Sequence, residues 1–327
     1  MPPREGPPPG RRPTPRRVLV RRLVALTLLV LALGALGFLA VAAVGGGGDD
    51  EASAPTTTLL TRTDLRPVTV TRATSTGRIT TVIFVPKPLR ILFPEGFTRR
   101  QMAQRVSVVD AIARRKRHVK PALSAKQYLR LTGRTKLPPG FQGPTGANLE
   151  GFLFPATYDF EPKTTTAELV KQQLDAFRAN WRKVDLAYAK SRNLTPYDVL
   201  IIASMVEAET LSPDERQLVS AVIYNRLRQG IPLGIDATIR YGLNIPPTES
   251  LHQSQLHADN PYNTRDRQGL PPTPISNPGL ASIQAAAHPA KVDYLYFVRK
   301  PDKKHHFFTA SFQAFQEYAR THGYGGP

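Results

Sequence analysis

The sequence predicts an α+β protein with a single N-terminal transmembrane helix, a small basic region and a mostly helical domain with a small β-hairpin. Three observations support this prediction. An uncharged run, residues 23–44, lies close to the N-terminus. Short runs of β-branched residues follow it, and capped amphipathic segments dominate the remainder of the 327-residue chain. Hydrophobic residues make up 41% of the chain, which supplies a folded core and excludes a wholly disordered protein.

The first 66 residues predict where the protein lies. Residues 1–22 are rich in Pro, Gly and Arg and are expected to form a disordered tail. Residues 23–44 would span about 33 Å as a helix, enough to cross a hydrocarbon core of about 30 Å. Arginines precede this run and acidic residues follow it, which places the tail in the cytoplasm and the rest outside. Residues 45–66 are predicted as a linker; a cleaved signal peptide and a buried core helix are the alternatives for the run.

The positive charge of the chain is concentrated in its first part. The formal net charge is +19, yet residues 1–136 hold 25 basic and 7 acidic residues, and residues 137–327 hold 19 and 18. A basic segment of this kind suggests nucleic acid, an anionic membrane or another polyanion as partner. Because the segment is expected outside the cytoplasm, we expect no nucleic acid, and an anionic membrane or wall polymer instead. For the basic cluster 114–117, a solvated helix end is the alternative.

Several classes of chemistry find no support in the sequence. The chain has no cysteine, which excludes disulfides, thiolate metal sites and cysteine nucleophiles. Its seven histidines do not form an H-E-x-x-H or similar metal-binding spacing. There is no phosphate-binding glycine-rich loop, so nucleotide binding is not expected. We therefore expect neither a metal nor a cofactor.

Residues 67–147 predict a small region of mixed structure. The β-branched runs on either side of 75–77 indicate a β-hairpin over 67–85, and residues 89–93 are predicted as a further strand. Thr98 is a favourable N-cap for a helix over 99–117. A second, short helix is predicted near 125–131.

Residues 148–327 predict a mostly helical region. One strand is expected over 151–160 and one long amphipathic helix over 164–191. Thr195 and Pro196 open the next helix, and residues 212–215 predict a capping box for a helix that stops at Gly230. The remainder is expected to contain a loop-rich stretch over 231–276, a helix from 277–279 to 288, a hairpin of 294–298 and 307–309, and a helix over 311–320.

Two glutamates, Glu207 and Glu209, end the helix that opens at Pro196. The second half of this helix is apolar on every side, which predicts burial. An acid that emerges from such surroundings is desolvated, so its pKa should rise, and a protonated carboxyl can act as a general acid. Positions i and i+2 point about 200° apart on a helix, so the two are not the opposed carboxylates of an ordinary glycosidase. Two solvated residues at a helix end are the alternative, and the polar, proline-stiffened stretch 260–278 favours a functional site.

Nine short motifs follow one another across residues 148–318: EGFLFP (150–155), ASMVEAET (203–210), NRL (225–227), DATIRYG (236–242), YNT (262–264), GLPP (269–272), ISNPG (275–279), AAAHP (285–289) and YLYFV (294–298). In this order and spacing they resemble the endolytic murein transglycosylases, the YceG-like family. Residues 93–106 (FPEGFTRRQMAQRV) resemble the start of the LysM-like subdomain that precedes the catalytic domain in that family. The resemblance implies a small LysM-like subdomain over 67–147 and a catalytic domain over 148–327.

The resemblance implies a lytic transglycosylase, a carbon-oxygen lyase that acts on peptidoglycan. Such an enzyme cleaves the bond between N-acetylmuramic acid and N-acetylglucosamine and leaves 1,6-anhydro ends. Glu209 matches the second glutamate of the family's E-x-E-T motif, which is the general acid. Glu207 and Thr210 would support it.

Four further residues are implied as substrate contacts. Asn225 and Asn263 are candidates for hydrogen bonds to the acetamido groups of the glycan, and Tyr241 and Tyr262 for contacts with the sugar rings. A purely structural role is the alternative for Asn225. Arg265 stands where the family has an aromatic residue, so one aromatic sugar contact is replaced by a cation.

The same resemblance implies the biological setting. We expect a single-pass protein of a bacterial plasma membrane that cuts nascent glycan strands outside the cytoplasm and so terminates their elongation. Expected partners are the glycan strands and cell-wall synthases, the penicillin-binding proteins. Two other functions stay open from the sequence: a hydrolytic muramidase, and a non-catalytic wall-binding or scaffold protein.

Overall fold

Ten α-helices and three two-stranded antiparallel sheets make up the part of the chain that the structure describes. The structure is a computed structural model, and it describes residues 65–74, 77–246 and 248–324. The predicted α+β class, mostly helical with small sheets, is confirmed. The predicted tail 1–22, the transmembrane helix 23–44 and nearly all of the linker 45–66 lie outside the described residues. Within the described ranges, no helix is both long enough and apolar enough to cross a membrane.

The first sheet is a long hairpin. Its strands are β1 (Leu65–Thr74) and β2 (Gly77–Pro86), which pair antiparallel over their whole length. The Thr, Val and Ile residues that favour a pleated conformation recur along both strands. The hairpin predicted over 67–85 is therefore confirmed, while turn residues 75–76 lie outside the described ranges.

The second sheet joins residues 67–147 to residues 148–327, the two regions that the sequence predicts. Strand β3 (Leu89–Leu92) pairs antiparallel with β4 (Thr157–Phe160), and the buried side chains of both belong to one hydrophobic core. The strand predicted over 151–160 is wrong in its first half. Gly151 adopts a left-handed φ of +88°, and Pro155 has no N–H to donate, so residues 151–156 form turns instead of extending the ladder.

Two helices follow β3 with the bounds that the sequence predicts. Helix α1 (Arg99–Arg117) begins at Thr98, which forms a capping box with Gln101. Helix α2 (Ala125–Leu131) begins at Ser124, whose hydroxyl accepts a hydrogen bond from the N–H of Gln127.

The single helix predicted over 164–191 is wrong, because the chain forms two. Helix α3 (Thr166–Trp181) is capped by Thr165, and the short helix α4 (Ala187–Ser191) follows after a break. At the break, the carboxylate of Asp185 accepts a hydrogen bond from the N–H of Ala187 at 2.9 Å. This local bond satisfies an N–H at the start of α4 and so favours a new helix over continuation of the old one.

Helix α5 (Pro196–Glu209) lies at the centre of the core. Thr195 is its N-cap, as predicted, and also forms a capping box with Asp198. Every residue from Val199 to Val206 is buried. Helix α6 (Arg216–Gln229) packs against it, follows a 3₁₀ turn and ends at the left-handed Gly230. The capping box predicted over 212–215 does not form: both carboxylate oxygens of Glu215 contact His306, through its N–H and its ring Nδ1.

The stretch predicted as loop-rich contains two short helices, α7 (Asp236–Leu243) and α8 (Gln253–Leu256). Helix α9 (Leu280–Ala287) follows Gly279, as predicted, and packs on α5. The chain then forms the hairpin of β5 (Tyr296–Arg299) and β6 (His306–Thr309), followed by helix α10 (Phe312–Thr321) with Ser311 as its cap. The fold thus surrounds α5 on several sides and leaves its C-terminal end facing α7 and α9.

Candidate active site

Glu209 is the last residue of α5, and its carboxyl meets the first turn of α7. The backbone N–H of Ala237 donates a hydrogen bond to this carboxylate. Burial raises the pKa of Glu209 to about 7, with a further upward contribution from the negative charge of Asp236. Arg299, the Ala237 amide and Arg240 act in the opposite direction. A carboxyl balanced in this way is about half protonated near neutral pH and can both donate and accept a proton.

Thr210 closes the helix behind Glu209. It is buried, its backbone N–H donates to the carbonyl of Val206 at 3.1 Å, and its hydroxyl donates to the same carbonyl. These bonds satisfy a carbonyl that the end of α5 would otherwise leave free, so Thr210 fixes the point at which the chain leaves the helix. Thr210 therefore supports Glu209 by holding the backbone at the end of α5 in place.

Glu207 lies on a different side of α5 and faces α9. Its carboxylate accepts a hydrogen bond from the N–H of Gly279 at 3.0 Å. Burial, then the charge of Glu207, raises the pKa of the neighbouring Glu95, and Arg216 opposes that rise. The two glutamates of α5 thus contact the starts of two different helices, in agreement with their separation of about 200° around the helix.

Glu150 is a buried acid to which the sequence motifs assign no role. Only 2% of its surface is exposed. Its carboxylate accepts hydrogen bonds from the N–H of Arg99 at 2.8 Å, Nδ2 of Asn277 at 2.8 Å and the hydroxyl of Tyr241 at 3.1 Å. Burial raises the pKa of Glu150 to about 7, against the lowering effect of these donors. The signal that predicts such a carboxyl is an acid inside the apolar run of residues 149–154.

Glu150 joins segments that are far apart in the sequence. Asn277, which donates to it, also donates to the carbonyl of Phe97 at 2.9 Å. The side-chain oxygen of Asn277 accepts from the N–H groups of Gly151 and Leu153. The start of α1, the EGFLFP motif and the start of α9 therefore meet at one hydrogen-bonded centre.

Tyr241 and Tyr262 form an aromatic pair next to this centre. Their ring centroids lie 5.1 Å apart in an edge-to-face arrangement, and both side chains are half-buried. The hydroxyl of Tyr241 bonds Glu150, and that of Tyr262 lies 2.7 Å from the hydroxyl of Thr273. Burial and the charge of Glu150 raise the pKa of Tyr241, which keeps its hydroxyl a donor. The fixed hydroxyls hold both rings in place, and their contact with a sugar stays a prediction.

The two asparagines have their amide groups engaged within the protein. Nδ2 of Asn225 donates to the carbonyls of Val292 and Tyr294, at 2.8 and 3.0 Å. Asn263 is 1% exposed, and its Nδ2 donates to two carbonyls and a carboxylate in the loop 256–266. These bonds provide the structural role left open for Asn225 and a similar one for Asn263. Their contacts with a glycan stay a prediction.

Arg265 forms an ion pair with Asp236 in the first turn of α7. Nη2 and Nε of Arg265 lie 2.7 and 3.0 Å from Oδ1 of Asp236. Arg265 therefore contacts Asp236, the carboxylate whose charge raises the pKa of Glu209. Within residues 65–74, 77–246 and 248–324, no group of three or more His, Cys, Asp or Glu side chains is arranged to hold a metal ion.

The fold and the sequence of this chain are similar to those of proteins whose family is known. The YceG-like family matches residues 69–321, and the chain therefore belongs to the YceG-like family. A crystal structure of a YceG-like protein from Listeria monocytogenes superposes with a TM-score of 0.56 at 25% identity, covering 74% of this chain and 84% of that one.

Two relatives carry the name endolytic murein transglycosylase. The one from Bacillus subtilis is 36% identical over 156 residues, which is 46% of this chain and 42% of the relative. The one from Streptococcus pneumoniae strain R6 is 34% identical over 229 residues, 64% of this chain and 40% of the relative. The matched part of this chain thus spans less than half of the length of either relative.

Proposed function

We propose that this chain is an endolytic peptidoglycan lytic transglycosylase with Glu209 as its catalytic acid and base. The observation that carries the proposal is the carboxyl of Glu209, which lies at the first turn of α7 with its pKa raised to about 7. The same helix carries Tyr241, one ring of the aromatic pair. Membership of the YceG-like family and the names of the relatives from Bacillus subtilis and Streptococcus pneumoniae support the substrate class.

In the proposed reaction one group moves the proton twice. Protonated Glu209 gives its proton to the oxygen that links N-acetylmuramic acid to N-acetylglucosamine, and the bond from that oxygen to the muramyl C1 breaks. The C6 hydroxyl of the same muramyl residue then attacks C1, and the Glu209 carboxylate takes the hydroxyl proton. The C1–O6 bond completes the 1,6-anhydro ring, and Glu209 is again protonated.

The surroundings of Glu209 suit both steps. Burial favours the protonated acid before the first step, and the Ala237 N–H with Arg299 and Arg240 stabilises the carboxylate after it. A single group with a pKa close to the working pH is effective in both directions. The half-buried rings of Tyr241 and Tyr262 would hold the uncharged glycan.

A hydrolytic muramidase is the second candidate. Such an enzyme needs another carboxylate to activate water. Asp236 is the carboxylate whose charge raises the pKa of Glu209. Its Oδ1 is held by two guanidinium nitrogens of Arg265. That ion pair engages the oxygen that would have to contact the attacking water, and so opposes a role of Asp236 in activating water.

The cellular location of the protein is part of the proposal. We propose that residues 23–44 anchor the protein in a bacterial plasma membrane, with residues 67–327 outside the cytoplasm. The length and absence of charge of that run support this. Cutting nascent strands there would terminate their elongation, and penicillin-binding proteins would be partners. A LysM-like role for residues 67–147 in glycan binding belongs to the same proposal.

The test is mass spectrometry of isolated glycan strands digested with the full chain. The proposed reaction gives muropeptides with anhydro ends, lighter by one water than reducing ends. The Asp236→Asn variant should give the same product. Reducing ends that depend on Asp236 would identify a muramidase instead, and uncut strands would identify a non-catalytic wall-binding protein.

A further inference from the structure

The hairpin of β1 and β2 presents large apolar side chains to solvent. In its register, Val68 lies opposite Ile83, and Ile79 lies opposite Arg72, so these side chains share one face with Val70. Val70, Ile79 and Ile83 are 44%, 57% and 43% exposed. On the other face, Val82 and Phe84 are 55% and 56% exposed. The first face therefore groups Val70, Ile79 and Ile83 in one exposed apolar patch, and such a patch on a two-stranded hairpin indicates an interaction site.

The same hairpin is basic and carries no acid. Residues 65–86 contain three basic residues and neither Asp nor Glu. Arg66, Arg72 and Arg78 are exposed on the strands. The C-terminal turn of α1 adds residues 114–117, and Nη2 of Arg117 donates to the carbonyl of Lys87 at 3.0 Å. The hairpin and the basic end of α1 therefore form one continuous surface, here called the basic hairpin surface.

We propose that the basic hairpin surface binds the face of an anionic lipid bilayer, with the apolar side chains of the hairpin inserted among the lipids. Interfacial binding of proteins combines two forces: burial of apolar side chains below the headgroups and attraction of Lys and Arg to anionic lipids. The hairpin supplies both on one small element. An anionic wall polymer in water would neutralise the arginines but leave Val70, Ile79 and Ile83 exposed, so the apolar side chains select the bilayer.

The chain that leads to the hairpin has a suitable length. Twenty residues, 45–64, separate the end of the uncharged run from β1. Twenty residues reach at most about 70 Å when fully extended. If residues 23–44 are the anchor, the linker thus keeps the hairpin within reach of the membrane surface. Attachment at both the anchor and the hairpin would fix the orientation of the domain that follows.

The test measures how deeply single residues of the hairpin lie in the membrane. Because the chain has no cysteine, Ile79→Cys and Ile83→Cys, on the same face of the hairpin, each give one site for a nitroxide spin label. The labelled full chain is reconstituted in vesicles of phosphatidylglycerol and phosphatidylcholine, or of phosphatidylcholine alone. Electron paramagnetic resonance then compares collisions of the label with oxygen and with a water-soluble nickel chelate. Gln229→Cys, on the exposed last residue of α6, is the control.

We expect oxygen collisions to exceed nickel collisions at positions 79 and 83 in anionic vesicles, and the reverse at position 229. Replacing Arg66, Arg72 and Arg78 by Gln should return both hairpin labels to the accessibility seen at 229. Cleavage of glycan by the labelled proteins in detergent separates this result from loss of the proposed activity. Water-like accessibility at 79 and 83 in anionic vesicles, or protection by soluble polyanion instead of lipid, would overturn the proposal.

Discussion

The backbone N–H of Ala237 donates a hydrogen bond to the carboxylate of Glu209 and so joins the end of α5 to the first turn of α7. The N-terminus of a helix favours the charged form of a carboxylate, and burial favours the neutral form. At Glu209 burial outweighs its opponents enough to bring the pKa to about 7. The same contact that positions the acid therefore also sets its proton affinity.

The first prediction is that cleavage declines as pH rises through about 7. Protonated Glu209 is the active form in the bond-breaking step, and its pKa of about 7 places the loss of that form in this range. Asp236→Asn should move the decline to lower pH, because the charge of Asp236 raises the pKa of Glu209. Arg299→Gln should move it to higher pH, because the charge of Arg299 lowers that pKa. The measurement is kcat/KM against pH for the three proteins.

The opposite directions of the two shifts are the discriminating result. Thermal unfolding at each pH shows whether the proteins remain folded over the range. Shifts in the same direction, or identical pH profiles for all three proteins, would mean that the titrating group is not Glu209.

The second prediction concerns Glu150 and stability. Its pKa is raised from 4.5 to about 7 in the folded state, so the native protein retains a proton that the unfolded chain has released. The stabilisation from this proton is complete below the pKa of Glu150 in the unfolded chain. It is lost as pH rises through the pKa of Glu150 in the folded protein. The free energy of unfolding should therefore fall between about pH 4.5 and 7, by on the order of 3 kcal/mol from this group.

Glu150→Gln removes this dependence. The Gln oxygen can still accept from Arg99 and Asn277, and its amide can donate to the hydroxyl of Tyr241. Urea unfolding at a series of pH values should thus give a flatter curve for Glu150→Gln than for the wild type. Glu249→Gln, at an exposed position, should run parallel to the wild type. Parallel curves for wild type and Glu150→Gln would show that Glu150 does not keep its proton in the folded protein.

The third prediction compares two glycines with the same backbone conformation. Gly151 and Gly140 have φ values of +88° and +89°. A Cβ on Gly151 would lie 2.8 Å from the ring of Pro274 and 3.1 Å from Leu200, while one on Gly140 would meet nothing within 4 Å. Gly140→Ala should lower the free energy of unfolding by about 1–2 kcal/mol through backbone strain. Gly151→Ala should lower the free energy of unfolding by roughly 1–3 kcal/mol more, because the ring of Pro274 cannot move away easily.

Denaturant unfolding of the two variants gives this difference directly, since the strain of a positive φ is common to both. Equal losses would mean that the packing of the EGFLFP motif against Pro274 is looser than the structure shows.

Features encoded over a few residues could be predicted from the sequence. The capping residues Thr98 and Thr195 and the stop at Gly230 give the bounds of three helices, because each satisfies N–H or carbonyl groups of its own helix end. The position of Glu209 follows from the same local pattern, an apolar helix that ends in acids. The opposite orientation of Glu207 follows from the helical repeat.

Features that depend on distant contacts could not be predicted in this way. The role of Glu150 depends on Asn277, which lies 127 residues away, and no local pattern joins the two. The break at Asp185 was missed because amphipathic spacing continues across it. Helix α7 was missed because its start has no side-chain cap, and yet its N-terminus is what positions Glu209.

The measurement that tests the central claim most directly is the rate of glycan cleavage by Glu209→Gln beside the wild type. Gln has nearly the same shape but cannot give up a proton, so the rate should fall roughly 100- to 10,000-fold. Glu249→Gln, the same change at an exposed position, should cleave at the wild-type rate, and unfolding curves should show that all three proteins are folded. A Glu209→Gln protein that cleaves within tenfold of the wild type and releases anhydro ends would contradict the assignment of Glu209.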